Sequence, residues 1–302
     1  MNMKATGPGK GGPSDEGIVV VNYGKQVEVL TPSGERVTCE MSSDLGKKPV
    51  AGDRVRYEAE RGGAYLLELL KRSNVIMRAG RREGEDRVLA ANVDCMLIVS
   101  AVKPPFKEGL VDRYLVTAGH AGIAPVVVLN KVDLDDGGTQ KRAEMYRELG
   151  YPLHCVSSLR GDGVQELAGY LADRTSILVG HSGVGKSSLL MALLPEADIA
   201  TSALSQSSGK GVHTTSTATL YSGANGVRII DSPGIRAFGL SSIAPSEVRA
   251  YFVEFVPLAG QCRFRDCMHI KDGDCRVRDA VEKGEIPRIR YESYLRMVES
   301  LS

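Results

Sequence analysis

The sequence predicts three folded units in tandem: a small N-terminal β-barrel, a central α/β domain on a mostly parallel sheet, and a small, mostly helical C-terminal unit holding a metal. Three patterns predict it. Short β-rich runs separated by turn signals fill residues 17–70, buried-strand runs alternate with helical stretches over 91–240, and a cysteine–histidine cluster occupies 262–275. A chain of 302 residues has room for two or three domains. The expected boundaries are a flexible tail over 1–15, a barrel over 16–71, the central domain over 72–245 and the metal unit over 246–302.

Composition narrows the class. With 42% hydrophobic and 25% charged residues, the chain is not disordered as a whole. Its longest apolar runs, Cys95–Val102 and Pro125–Leu129, fall far short of the ~18 residues a membrane helix needs. No apolar leader opens the chain, so a cytoplasmic protein without a membrane partner is expected. A formal charge of +1 gives no bulk argument for nucleic acid.

The first 15 residues are rich in Gly, Pro and Lys and cannot bury a core. Gly17–Asn22 and Lys25–Leu30 read as strands around Tyr23-Gly24. The turn Thr31-Pro32-Ser33-Gly34 leads to Glu35–Met41, and Asp53–Glu58 and Ala64–Leu70 complete five strands. The count suits an OB-like barrel, and by periodicity alone an SH3-like barrel almost equally. Between 72 and 90 the chain is polar and basic, with Lys71, Arg72, Arg78, Arg81, Arg82 and Arg87 against Glu83, Glu85 and Asp86. It reads either as a solvated linker or as a strip that contacts phosphates.

The alternation then begins. Strands are expected at Val93–Val99, Pro125–Leu129, Leu153–Val156, Ser176–Val179 and Gly226–Ile230. Helices are expected at Gly109–Ala121, Gln140–Leu149, Val164–Leu171 and Ser187–Leu194. Such alternation builds a parallel sheet covered on both faces. Further helices are expected at Ser246–Phe255, Arg276–Gly284 and Pro287–Leu301.

Gly180-His181-Ser182-Gly183-Val184-Gly185-Lys186-Ser187, followed by Ser188, fits G-x-x-x-x-G-K-[ST] between a strand and a helix. Gly180 and Gly185 let amides turn inward on phosphates, Lys186 neutralises β and γ oxygens, and the Ser187 hydroxyl can ligate Mg²⁺. Asp231-Ser-Pro-Gly234 follows a strand; Asp231 is then a candidate for holding Mg²⁺ and the Gly234 amide for the γ-phosphate. Asn130-Lys131-Val132-Asp133 ends another strand. A carboxylate there accepts from N1–H and the 2-amino group of guanine, donors that adenine lacks, and Lys131 can lay its stem along the base. The competing reading makes Asn130 and Asp133 caps of the next helix. Ser157-Ser158 ends a further strand, and its amides are candidates to meet the guanine O6.

This set resembles the translation-factor-related GTPases in an unusual order, with base-recognition elements ahead of the phosphate loop. With a barrel before and a Cys/His cluster after, the chain resembles the ribosome small-subunit-dependent GTPase A family. Arg72-Ser-Asn74, Ala90-Ala-Asn-Val-Asp94, Gly211–Thr215, Cys262–Cys275 and Arg290-Tyr291 carry the same resemblance. It implies a circularly permuted P-loop GTPase domain after an OB-like barrel and before a zinc domain. It also implies GTP/GDP and Mg²⁺ as ligands, stimulation by the small ribosomal subunit, and binding to that subunit's rRNA during late assembly. A monomer is expected.

Ser202–Thr219 reads as a mobile loop. Thr214 or Thr215 is the candidate second hydroxyl for Mg²⁺. The family usually reads Gly-Arg-His-Thr-Thr-Thr, where this chain has Val212 and Ser216. After Gly234 stands Ile235 rather than a water-orienting glutamine, which predicts slow intrinsic hydrolysis. His213 is the catalytic candidate within the chain, against the alternative of a surface loop histidine. Cys262-x4-Cys267-x-His269-x5-Cys275 offers three thiolates and an imidazole, a closed set for one structural Zn²⁺. Cys39, Cys95 and Cys155 read as buried hydrophobes. Two rivals stand beside the GTPase: a GTP-gated binding module with incidental turnover, and a P-loop ATPase or kinase.

Overall fold

The computed structural model describes residues 14–41, 45–60, 63–78, 87–135, 137–197, 217–223, 225–231 and 243–301. The tail through residue 13, most of the predicted mobile loop, His213, Thr214, Thr215 and Gly234 lie outside the described residues.

Five strands close a barrel: β1 (Asp15–Asn22), β2 (Gln26–Leu30), β3 (Arg36–Met41), β4 (Arg54–Glu60) and β5 (Gly63–Leu69). Their order is β1-β2-β3-β5-β4, with β1 closing on β4, and only the β3–β5 pair is parallel. That order is the five-stranded Greek-key barrel of the OB class. Alternate residues point inward, so Val27, Val29, Val55, Tyr57 and Leu66 form its core.

The polar stretch after the barrel is not a plain linker. Val75–Arg78 (β6) and Arg87–Ala91 (β7) pair as an antiparallel ribbon, with Ile76, Ala90 and Ala91 buried. Arg72 is not free for phosphates. Its Nε and Nη2 each lie 2.7 Å from a different oxygen of Asp53, which is wholly buried. The asparagines of the two family strings join the units. Asn74 bonds the backbone of Val93 in both directions, Asn92 Oδ1 accepts the Ser73 amide at 2.9 Å, and Asn92 Nδ2 reaches Gly52 O.

The central sheet has the order β10 (Leu153–Val156), β9 (Ala124–Asn130), β8 (Cys95–Ala101), β11 (Thr175–Val179), β13 (Arg228–Asp231), β12 (Thr219–Ser222). Every neighbouring pair is parallel except the edge strand β12 against β13. In sequence, β8 and β11 are buried nearly throughout, as expected for strands covered on both faces. Helices α1 (Glu108–His120) and α2 (Gly138–Glu148) cover one face. Helices α3 (Val164–Tyr170) and α4 (Lys186–Leu193) cover the other.

The helix expected over Ser246–Phe255 does not form. A 3-10 turn at Val248–Tyr251 ends where Phe252 becomes extended, and a one-turn helix, α5 (Val256–Ala259), follows with Pro257 in its first turn. The break lets Phe252 and Phe255, both fully buried, stack at 5.1 Å between centroids. Helices α6 (Arg276–Glu282) and α7 (Arg288–Leu301) complete this unit, and Tyr294 closes on both phenylalanines edge-on.

Candidate functional site

The motifs collect at one edge of the sheet. β10 runs into Ser157, β9 ends at Asn130, β11 runs into Gly180 and β13 ends at Asp231. These are the carboxyl ends of parallel strands, where open α/β sheets hold ligands.

The phosphate loop needs its glycines. Gly180, Gly183 and Gly185 have φ of +144°, +83° and +91°, which side chains resist. A Cβ at Gly180 would lie 2.1 Å from Val99 O, and one at Gly185 2.5 Å from Asn130 Nδ2. Lys186 opens α4, and its Nζ donates to Gly180 O at 2.8 Å and His181 O at 3.0 Å. Ser187 and Ser188 lie exposed in the first turn, where helix amides favour an anion.

The base-recognition string is bonded to that loop. Asn130, fully buried, donates through Nδ2 to Val184 O at 3.0 Å, and Lys131 Nζ donates to Gly183 O at 2.6 Å. Asn130 Oδ1 accepts the amides of Lys131 at 2.8 Å and Ser158 at 3.1 Å. Ser157 Oγ donates to Asp133 Oδ1 at 2.6 Å. Thus Asn130 and Lys131 tie the string Asn130–Asp133 to Gly180–Ser188 across the sheet, and Ser157 and Ser158 join it through Asp133 and Asn130.

Two details differ from the sequence expectation. The amides of Ser157 and Ser158 are engaged within the site, with Asp162 O at 2.9 Å and Asn130 Oδ1. These serines therefore shape the site through Asp133 and Asn130. The N-cap of α2 is Gly137, and the carboxylate that serves its first turn is that of Asp135, which accepts the Thr139 and Gln140 amides at 3.1 and 2.8 Å. The Asp133 carboxylate instead accepts from Ser157 Oγ. The spacing D-x-x-x-T-Q carried this signal.

The cysteine cluster is equally compact. One ligand atom from each of Cys262, Cys267, His269 and Cys275 lies within 4.8 Å of all the others. His269 Nδ1 sits 3.6 Å from Cys262 Sγ and 3.4 Å from Cys275 Sγ. Tetrahedral Zn²⁺ bonds to nitrogen and sulfur imply an N···S edge of roughly 3.6 Å. Burial pushes the Cys267 thiol up to about 12, so a thiolate there calls for a cation beside it. Asp272 braces the turn, accepting the Met268 amide at 3.0 Å. Tyr291 and Tyr294 donate to the carbonyls of His269 and Met268. Of the other cysteines, Cys39 and Cys95 are buried, while Cys155 is only partly so.

Sequence reasoning missed a buried charge cluster behind α1. Arg290 of α7 is 1% exposed and donates to Asp112 Oδ1 at 2.5 Å and to Glu254 at 2.7 and 3.1 Å. Its guanidinium lies 4.5 Å over the Phe252 ring. An arginine in an amphipathic helix carries no sequence signal for burial; only Arg290-Tyr291 in the family resemblance marked it.

A six-stranded sheet with a glycine loop after β11 and an N-K-x-D string at the end of β9, on either side of β8 and with the latter first in sequence, defines a P-loop nucleotide-binding protein of permuted order. The profile of the family described as RsgA GTPase matches residues 69–241. The chain belongs to that family of GTP-hydrolysing enzymes. It is 44% identical over 300 residues to "Small ribosomal subunit biogenesis GTPase RsgA" of Pseudomonas putida, covering 96% of this chain and 87% of the relative. The protein of that name from Actinobacillus pleuropneumoniae is 42% identical over 298 residues, covering 96% and 86%. Among solved structures, YjeQ from Thermotoga maritima superposes with a TM-score of 0.78 at 33% identity, over 96% of this chain and 99% of that one. YloQ, described as a circularly permuted GTPase, gives 0.76 at 27% identity, over 96% and 95%.

Proposed function

We propose that this GTPase acts in late maturation of the small ribosomal subunit, binding its rRNA and hydrolysing GTP to GDP and phosphate when seated there. The observation that supports this site is the pair of bonds from Asn130 and Lys131 to carbonyls of the phosphate loop, which join the base string to that loop. Asp133 selects guanine by accepting its N1–H and 2-amino donors. Gly180–Ser188 wraps the phosphates, and Lys186 exchanges its loop carbonyls for β and γ oxygens. Ser187, Asp231 and Thr214 or Thr215 are the hydroxyl and carboxylate groups suited to Mg²⁺, which supplies charge neutralisation at the phosphates when bound. His213 is assigned to water orientation and Gly234 to the γ-phosphate. Cys262, Cys267, His269 and Cys275 are assigned one structural Zn²⁺, with no open position for chemistry. The reading carries a monomeric, cytoplasmic protein divided near residues 15, 71 and 245.

The relatives' printed name supports the ribosomal step, and the barrel supports a nucleic-acid partner. The test is multiple-turnover hydrolysis of GTP and ATP with and without purified small subunits. Stimulation specific to GTP is expected, and His213→Ala should lower turnover with little change in GTP affinity. Absence of stimulation would favour a GTP-gated binding module instead, and equal use of ATP would remove the guanine assignment.

A further inference from the structure

The barrel, the β6–β7 ribbon and the start of β12 enclose a cavity of about 710 Å³, well within the size range of small-molecule sites. None of the described residues of the guanine and phosphate site lines it. Five cations do: Lys47, Lys48, Arg72, Arg78 and Arg87. Among the described lining residues there is no carboxylate. A chain with a formal charge of +1 has no general surplus of cations, so five in one hollow are a local concentration that the bulk charge hides. The remaining wall is largely apolar, with Leu89 of the ribbon and Ala218 before β12.

The segment that carries Lys47 and Lys48 is pinned through its backbone. Asn22 Nδ2 donates to Pro49 O at 2.7 Å, Arg72 Nη2 to Lys48 O at 3.2 Å, and the Val50 amide to Asp53 Oδ2 at 2.8 Å. Ala51 bridges to Ala90 of the ribbon. Arg72 is neutralised by Asp53 and so holds this wall in place. Lys47, Lys48 and Arg87 are exposed and have no carboxylate partner among the described residues. Like charges gathered around one hollow repel, and an anion between them relieves the repulsion. Apolar wall beside cations suits a ligand with a flat base at one end and phosphate at the other.

We propose that this cavity is a second anion site, separate from the GTP site, that takes a nucleoside phosphate, either a free nucleotide or one nucleotide of a single-stranded RNA. Where RNA supplies it, the site rests on the proposed rRNA binding and names where this chain holds the strand. The full chain, loaded with GDP, is titrated against a short fluorescein-labelled oligouridylate, read by anisotropy, and against UTP, read by calorimetry. Three single-strand phosphate contacts give a log–log salt slope of about 2, so a four-fold rise in salt should weaken binding about 20-fold through them. Lys47→Ala, Lys48→Ala and Arg87→Ala together should lower the slope by about 2 and leave GDP affinity unchanged. Lys47→Arg, Lys48→Arg and Arg87→Lys together should keep it. As a control, Lys141→Ala, Lys283→Ala and Arg288→Ala remove the same charge from exposed positions on α2, at the end of α6 and on α7, and should change the slope little. Binding of UTP that the cavity variant loses assigns a free nucleotide; binding of oligouridylate alone, lost in the same variant, assigns RNA. Equal weakening in the cavity and control variants would overturn the proposal. So would wild-type oligouridylate binding in the cavity variant, which leaves the rRNA reading standing. No binding of either probe by the wild type would also overturn it, and binding of the same protein to purified small subunits then decides whether the rRNA reading falls too.

Discussion

The Arg290 cluster makes the most demanding stability prediction. Replacing Arg290 with Met keeps an apolar stem over Phe252 but removes the cation that, among the described residues, pairs with both Asp112, wholly buried, and Glu254, whose side chain is 7% exposed. Breaking a buried pair from one side leaves uncompensated charge and costs about 3–5 kcal/mol. The cost should depend on pH. Burial already pushes the Asp112 carboxyl above its ordinary range, with the Arg290 charge pulling the other way. Without Arg290 only the burial effect and weaker hydrogen bonds remain, so the folded-state pKa rises further. A carboxyl whose folded pKa exceeds its unfolded value, ~3.9, adds most to stability below that value and loses its contribution as pH climbs toward the folded pKa. Arg290→Met should therefore lose stability from pH 4 upward, at up to about 1.4 kcal/mol per pH unit for one proton, and recover in mild acid. The chain has no tryptophan, so urea unfolding at pH 5, 6 and 7 is best followed by circular dichroism. The double change Asp112→Leu with Arg290→Met should restore part of the loss. A deficit below about 1 kcal/mol at pH 7, far under the range expected for a broken buried pair, or one equal at pH 5 and pH 7, would refute the reasoning.

Further outcomes concern the two sites. Gly185→Ala places a Cβ 2.5 Å from Asn130 Nδ2 at a φ of +91°, so GDP affinity should fall at least about ten-fold while backbone strain costs only ~1–3 kcal/mol; titration beside thermal unfolding separates the two. Asp133→Asn should weaken GTP binding by about 100-fold, because the base donors lose their carboxylate; competition between GTP, GDP and ATP reads this directly. Atomic absorption should find one zinc per chain. Stripping it with a chelator, or Cys267→Ser, should expose the 246–302 segment to protease while the barrel and the sheet persist.

How far the sequence spoke depended on whether a feature was local. Leu153–Val156 and the strands that end at Asn130 and Val179 were legible because each is a short, mostly apolar run stopped by polar or glycine residues. The four cluster ligands were legible because cysteine and histidine so close together have few uses. The β6–β7 ribbon was not, since its apolar residues flank a charged stretch and only pairing turns them inward. The helix placed over 246–255 failed for a related reason. Helical spacing fits the segment, but Phe252 and Phe255 reach one core only if the backbone leaves the helix at Phe252. Arg72 read as part of a solvated linker or of a phosphate-contacting strip, and Arg290 stood only in the family string, yet both are paired with buried aspartates from distant segments. Charge in a string does not report burial; partners across 19 or 178 positions decide it.

The reversed order of motifs is a matter of where strands lie rather than where the chain begins. β11, with the phosphate loop, sits between β8 and β13, while the strand of the base string, β9, lies beyond β8. Any chain that fills those places in the same direction presents the same loops at the same edge, because a parallel sheet fixes which end carries the carboxyl termini. What permutation does change is which segment leaves the site last. Here β13 delivers Asp231 after every other motif, and the chain continues into the unit whose α7 packs on α1. Helix α1 therefore lines one cavity with His181 and Val184 of the phosphate loop through Tyr114, and meets the cysteine-bearing unit through Asp112. A change in the loop and a change in that unit bear on the same thirteen-residue helix, which gives the permuted order a mechanical consequence that strand geometry alone does not.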